Sequence, residues 1–164
     1  MRFEQENKDD AGPTKSSATH AKAFPLCGSY LRTWMNPQIL KSKLPKRWNA
    51  FVKWCGSEKI AICACTWGHG PLVQINSAKV GHANGRFRGG DVVFIHGKVA
   101  NGYEQGIGGG KTGWLCWEAT VLHELIHWAR FKQKLSDGNV EVGQEFEKEA
   151  YGRPIELGMW QPGP

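Results

Sequence analysis

The run WLCWEATVLHELIHWAR, residues 114–130, sets the centre of the fold. Leu115, Val121, Leu122, Leu125 and Ile126, with Phe131 just beyond, recur at helical spacing and give a broad apolar surface. A helix is expected from Trp114 to about Lys134, closed by Ser136-Asp137-Gly138-Asn139. Within it His123 and His127 are four apart, so both imidazoles share one face, one turn apart. Two ring nitrogens so placed can reach one metal ion. Glu124 follows the first histidine, and in an H-E-x-x-H site that carboxylate sits beside a metal-bound water and takes its proton. Zinc is the expected ion, because it accepts nitrogen and carboxylate ligands and a catalytic site keeps one position for water. The plainer reading is two hydrogen-bonded histidines and an exposed glutamate. The apolar residues flanking the motif, which would bury it, favour the metal site.

Toward the C-terminus a second helix is expected over residues 144–151, ended by Gly152-Arg153-Pro154, with an irregular tail to Pro164. No histidine follows His127, so a third ligand has to be a carboxylate. The segment offers Glu141, Glu145, Glu147 and Glu149. Glu145 and Glu149 share a face, while Glu147 lies opposite, next to Phe146, the expected core anchor. Spacing does not choose among them.

Toward the N-terminus, Gly106-Ile-Gly-Gly-Gly-Lys-Thr-Gly113 resembles a phosphate loop but fails its pattern, since residue 105 is Gln105 and not glycine. It reads instead as a flexible loop over or beside the site. Strands are expected at Ile60–Trp67, Leu72–Asn76 and Asp91–His96, with a weak edge strand over Val99–Gln105. The Asp91–His96 strand is a candidate edge for an extended peptide to join. Phe24 to Trp54 reads as helix broken by Pro25, Pro37 and Pro45. Residues 1–23 are polar and read as a disordered leader or linker, leaving residues 24–164 as one domain.

Net charge is +6, and much of the excess lies between Arg32 and Lys59, interleaved with Trp34, Trp48, Phe51 and Trp54. Such a stretch can grip a polyanion, but the simpler reading is amphipathic helix with a solvated basic face and its aromatics in the core. Nucleic acid is therefore a possible but not a favoured partner. The five cysteines form no CxxC pair, which argues against a cysteine zinc knuckle, and their odd number is no disulfide framework. Cys63 and Cys65, placed in a strand, would share a face as small buried residues. No run of about 18 apolar residues exists to span a membrane, and no classical signal peptide opens the chain.

HELIHWAR (residues 123–130) and EVGQEFEKEAYG (residues 141–152) together resemble the metallopeptidase toxin domains at the C-termini of polymorphic toxins and type VI secretion effectors. Those domains are HExxH zincins whose third ligand is a glutamate in a segment of FExEAYG character. The resemblance implies an α+β, zincin-like fold, with a small antiparallel or mixed sheet packed on the HExxH helix and a second ligand helix. It implies a zinc metallopeptidase with His123, His127 and Glu147 as metal ligands and Glu124 as general base. Glu149 and then Glu145 follow Glu147 in order. It implies a protein or peptide substrate, leaves room for a cognate immunity protein, and suggests a monomeric module of a larger effector delivered into a target cell. A zincin also supports the oxyanion with a tyrosine, histidine or arginine, for which Tyr151, His96, Tyr103 and Arg153 are candidates. Trp128 is expected in the core. Two alternatives compete: a SprT-like peptidase on nucleic-acid-bound proteins, motivated by the basic stretch but lacking that group's third histidine, and a binding module in which the zinc is purely structural.

Overall fold

The computed structural model describes residues 1–4, 24–106 and 111–155. Three prolines each open a helix: Pro25–Thr33 (α1), Pro37–Lys43 (α2) and Pro45–Cys55 (α3). Proline suits that position, where its missing N–H would have no helical partner. The break expected in this stretch is thus a division into three helices. Gly56, in the left-handed region at φ 90°, ends α3, and Ser57 caps the next helix by accepting from the Ile60 N–H.

That next helix, Glu58–Cys65 (α4), corrects the strand expected over Ile60–Trp67. A short apolar run carries no period of its own, and here Ser57 and the alanines decide for helix. Cys63 and Cys65 therefore do not share a face, and Cys63 is half-buried while Cys65 is buried. Val99–Gln105 is likewise no strand: His96 caps a helix at Gly97–Glu104 (α6), its Nδ1 accepting from the Lys98 N–H.

The strands are Arg2–Glu4 (β1), Leu72–Ile75 (β2), Gly85–Phe87 (β3) and Val92–Ile95 (β4), with a short helix at Ser77–Val80 (α5) after β2. They form one mixed sheet in the order β1-β2-β4-β3. β1 and β4 flank β2 in parallel, and β3 closes one side antiparallel to β4. The strand at residues 91–96 is therefore internal, and the edge nearest the candidate motif is β3. β1 lies inside what reads as a leader; Met1 is buried, and its amino group donates to the Thr66 carbonyl. Residues 5–23, the glycine run at 107–110 and the tail from 156 lie outside the described residues.

Lys111–Lys132 (α7) runs through the middle, packed by α3, α4, α6, β3, β4 and a last helix, Val142–Tyr151 (α8). Between Cys116 and Ala129 every α7 residue is buried except His123 and His127. An all-round apolar helix must be central. Trp117, Leu122, Leu125, Ile126 and Trp128 fill the core against Phe51 and Phe146. The architecture is α+β, a small mixed sheet on a helical layer.

Candidate metal centre

The two α7 residues left half-exposed open onto the first turn of α8. His123 and His127 have ring centroids 5.2 Å apart. The Nε2 of His127 lies 2.7 Å from Glu141 Oε1, and the Nε2 of His123 lies 3.5 Å from Glu141 Oε2. One donor atom from each of His123, His127 and Glu141 falls within 4.8 Å of the others, the spacing of ligands around one ion. Glu141 is the N-cap of α8, where its carboxylate also accepts from the Gln144 N–H at 2.7 Å. The helix start thus aims a carboxylate at both rings.

The other ring nitrogens face other carboxylates. His123 Nδ1 lies 2.7 Å from Glu147 Oε1, and His127 Nδ1 lies 3.3 Å from Asp137 Oδ2. Asp137 is held in turn by Arg130 Nε at 2.6 Å. A carboxylate on the outward nitrogen fixes the ring and its tautomer, leaving the inward nitrogen for a metal. Glu147, the ligand implied by resemblance, is thus on the far side of the His123 ring from Glu141. Glu149 accepts from Lys53 at 2.7 Å and from Trp54 at 2.9 Å, and Glu145 pairs with Lys148, so neither points at the histidines.

Charge in the cluster is mutually compensating. Burial alone would lower the His123 pKa, but the hydrogen bond to Glu147 and the nearby Glu124 and Glu141 outweigh it and raise it to about 8. His127 is raised likewise, against burial, by its bond to Glu141. Burial also resists ionisation of Glu141, yet the histidines and the Gln144 N–H bring it down to about 2. Glu124, nearly enclosed, is raised by burial.

A cavity of about 400 Å³ opens beside His123 and Glu124 and is lined also by residues 82–85. Two glycines permit the close packing here. A Cβ on Gly85 would stand 2.7–2.9 Å from Glu124 and Thr120, so only glycine lets the β3 edge approach α7. A Cβ on Gly143 would stand 2.4–2.5 Å from the His123 ring, so α8 meets that imidazole backbone-first.

A family model for metallopeptidase toxin 3 matches residues 20–152. The chain belongs to that family. The match embraces the two histidines, Glu124 and the four candidate glutamates Glu141, Glu145, Glu147 and Glu149. No curated protein and no solved structure matches this metallopeptidase toxin significantly. Two imidazoles and a carboxylate make a borderline donor set of the kind zinc takes, and the ring nitrogens not needed for it already have carboxylate partners. The residues therefore fit a metal ion.

None of the four candidates for oxyanion support lines the cavity. Tyr151 donates to Glu118 at 2.9 Å, His96 caps α6, Tyr103 stacks on Trp117, and Arg153 is exposed. His82, which spacing could not single out, does line it. Sequence reasoning also missed the buried Glu118, which accepts from Tyr30 and Tyr151 and pairs with Arg47 at 2.8 Å, tying α1, α3 and α8 to α7. Three of the seven cations of the basic stretch have carboxylate partners, Lys41 on Glu58, Arg47 on Glu118 and Lys53 on Glu149. Trp48 and Phe51 are core residues, while Trp34 stays half-exposed. Among the described residues no helix is long and apolar enough to cross a membrane.

Proposed function

We propose that this chain is a zinc-dependent peptidase that acts as a toxin on protein substrates in a target cell. The observation that carries it is the convergence of His123 Nε2, His127 Nε2 and the Glu141 carboxylate next to a cavity that Glu124 helps to line. In this reading His123, His127 and Glu141 hold zinc, while Glu147 and Asp137 orient the two imidazoles. We give Glu141 the third position ahead of Glu147 because Glu147 is engaged with the outward nitrogen of His123.

Zinc, when bound, polarises a substrate carbonyl and makes water acidic enough to attack at neutral pH. Glu124 takes the proton from the attacking water and hands it to the leaving amine. Its buried setting disfavours the charged carboxylate and so raises its pKa above the usual range. β3 is the edge strand beside Glu124, and an extended peptide can pair along it with its scissile bond toward α7. His82 is the one cavity-lining side chain outside the cluster able to carry positive charge, which suits it to the developing oxyanion. Delivery as a module of a larger effector, with a cognate immunity protein as partner, follows from the toxin family and belongs to the same proposal.

The test compares wild type with Glu124→Gln for zinc content and for cleavage of an unfolded protein substrate. About one zinc per chain in both, with cleavage at least ~10²-fold slower in the variant, is the expected result. Equal cleavage by the two proteins would refute the assignment of Glu124. Wild type that takes up no zinc would refute the metal site.

A further inference from the structure

We propose that Asn84 and the backbone of Ile155 are positioning residues for the metal centre, acting on His123 through Glu147. The inference rests on the zinc reading above and extends it to the chain beyond α8. Three hydrogen bonds run in series. Asn84 Nδ2 donates to the Ile155 carbonyl at 2.9 Å. The Ile155 N–H donates to Glu147 Oε2 at 2.6 Å. Glu147 Oε1 accepts from His123 Nδ1 at 2.7 Å.

Each link restrains the next. Glu147 sits mid-helix and is 5% exposed, yet its two oxygens are split between two donors, which pins the carboxylate plane. Without the Ile155 N–H, Oε2 would be a buried acceptor with one partner fewer, and Glu147 could swing off the ring. Asn84 is a firm anchor because its own backbone carbonyl accepts from the His96 N–H at 2.8 Å, just where β3 begins to pair with β4. Pro154 and Ile155 line the same cavity as residues 82–85. The segment after α8 therefore links the start of β3 to α8 and α7, and the link ends on a ring whose other nitrogen faces Glu141.

The alternative is a fastening that merely secures the chain after α8. The two differ in what they do to metal affinity. Loss of an outer partner of a ligating histidine weakens metal binding about 10–100-fold. The experiment measures zinc affinity, by competition with a chromophoric chelator, and the melting temperature of the metal-free protein. It uses the full chain as wild type, Asn84→Ala, Ile155→Pro and Ile155→Val. Ile155→Pro deletes the donor N–H, whereas Ile155→Val keeps it and nearly the same apolar shape. The proposal expects affinity about tenfold weaker in Ile155→Pro, a smaller loss of about three- to tenfold in Asn84→Ala, and Ile155→Val within about twofold of wild type. It also expects the metal-free melting temperature of Asn84→Ala to stay close to wild type. Should Ile155→Pro fail to fold, Asn84→Ala decides alone. Unchanged zinc affinity in Asn84→Ala overturns the proposal, as does a loss that only parallels a lower metal-free melting temperature. Wild type that binds no zinc overturns the metal reading itself, and this inference falls with it.

Discussion

Glu141 and Glu147 can be told apart by the same conservative change at each. Glu141→Gln keeps an oxygen to cap the Gln144 N–H, so α8 still starts where it does, but it removes the charge that faces both Nε2 atoms. A structural zinc site in a zinc-finger peptide is worth about 10–16 kcal/mol in apparent binding free energy at neutral pH, which serves here as an upper scale. Shared among three ligands, that is roughly 3–5 kcal/mol each, or about two to four orders of magnitude in affinity. Glu147→Gln leaves the inward nitrogens and Glu141 alone. Its amide must turn either its oxygen or its NH₂ toward His123, so one of the two donors, His123 Nδ1–H or Ile155 N–H, faces another donor. The cost is then that of an outer partner, about 10–100-fold in affinity. Titration of the metal-free proteins with zinc against a chelator of known affinity measures both. The expected order is wild type, then Glu147→Gln, then Glu141→Gln far behind. The reverse order, with Glu147→Gln losing zinc and Glu141→Gln keeping it, would refute the geometric assignment and make Glu147 the third ligand.

Three further outcomes follow from the same geometry. Gly143→Ala puts a methyl group into the His123 ring and should destabilise the protein by about 1–3 kcal/mol, read from its urea midpoint; an unchanged midpoint would mean that α8 and α7 are not so closely seated. Zinc affinity should depend on pH: His123 has its pKa raised to about 8 without metal, and the ion needs the neutral ring, so below pH 8 each bound zinc displaces that proton. Apparent affinity should then fall about tenfold per pH unit below 8 and level off above it for this group, and a flat profile between pH 6 and 8 would contradict the charge balance described. Arg47→Met should cost about 3–5 kcal/mol in thermal or chemical unfolding, because it leaves the fully buried Glu118 without its cation; a change below about 1 kcal/mol would show Tyr30 and Tyr151 sufficient for Glu118.

How the sequence maps onto this structure depends on the range over which each feature is decided. His123, Glu124 and His127 were legible because four residues of helix fix their relative placement before any tertiary contact forms. The central helix was legible for the same reason, its apolar residues repeating over six turns. The three proline-opened helices follow from ring geometry at Pro25, Pro37 and Pro45. Residues 60–65 were not legible, because six small apolar residues suit a buried strand or a buried helix equally, and the Ser57 cap tips the balance. The strand at Gly85–Phe87 was too short to signal itself, and its glycine marks a close approach to Glu124 that only the folded chain reveals.

The sequence by itself thus determined a placement on one helix: two imidazoles and a carboxylate at a spacing that suits a metal and its water in the proposed reading. Which further carboxylate faces the two rings was a tertiary decision. Helical spacing among Glu141, Glu145, Glu147 and Glu149 says which of them share a face, but not where α8 begins or which way it leans on α7. The fold starts α8 at Val142, seats Gly143 against His123, and so turns the cap residue Glu141 toward the inward nitrogens and Glu147 toward the outward one. Contacts within one helix are set by covalent geometry and local hydrogen bonds, whereas contacts between helices are set by how two surfaces close on each other, and a linear pattern does not carry that information.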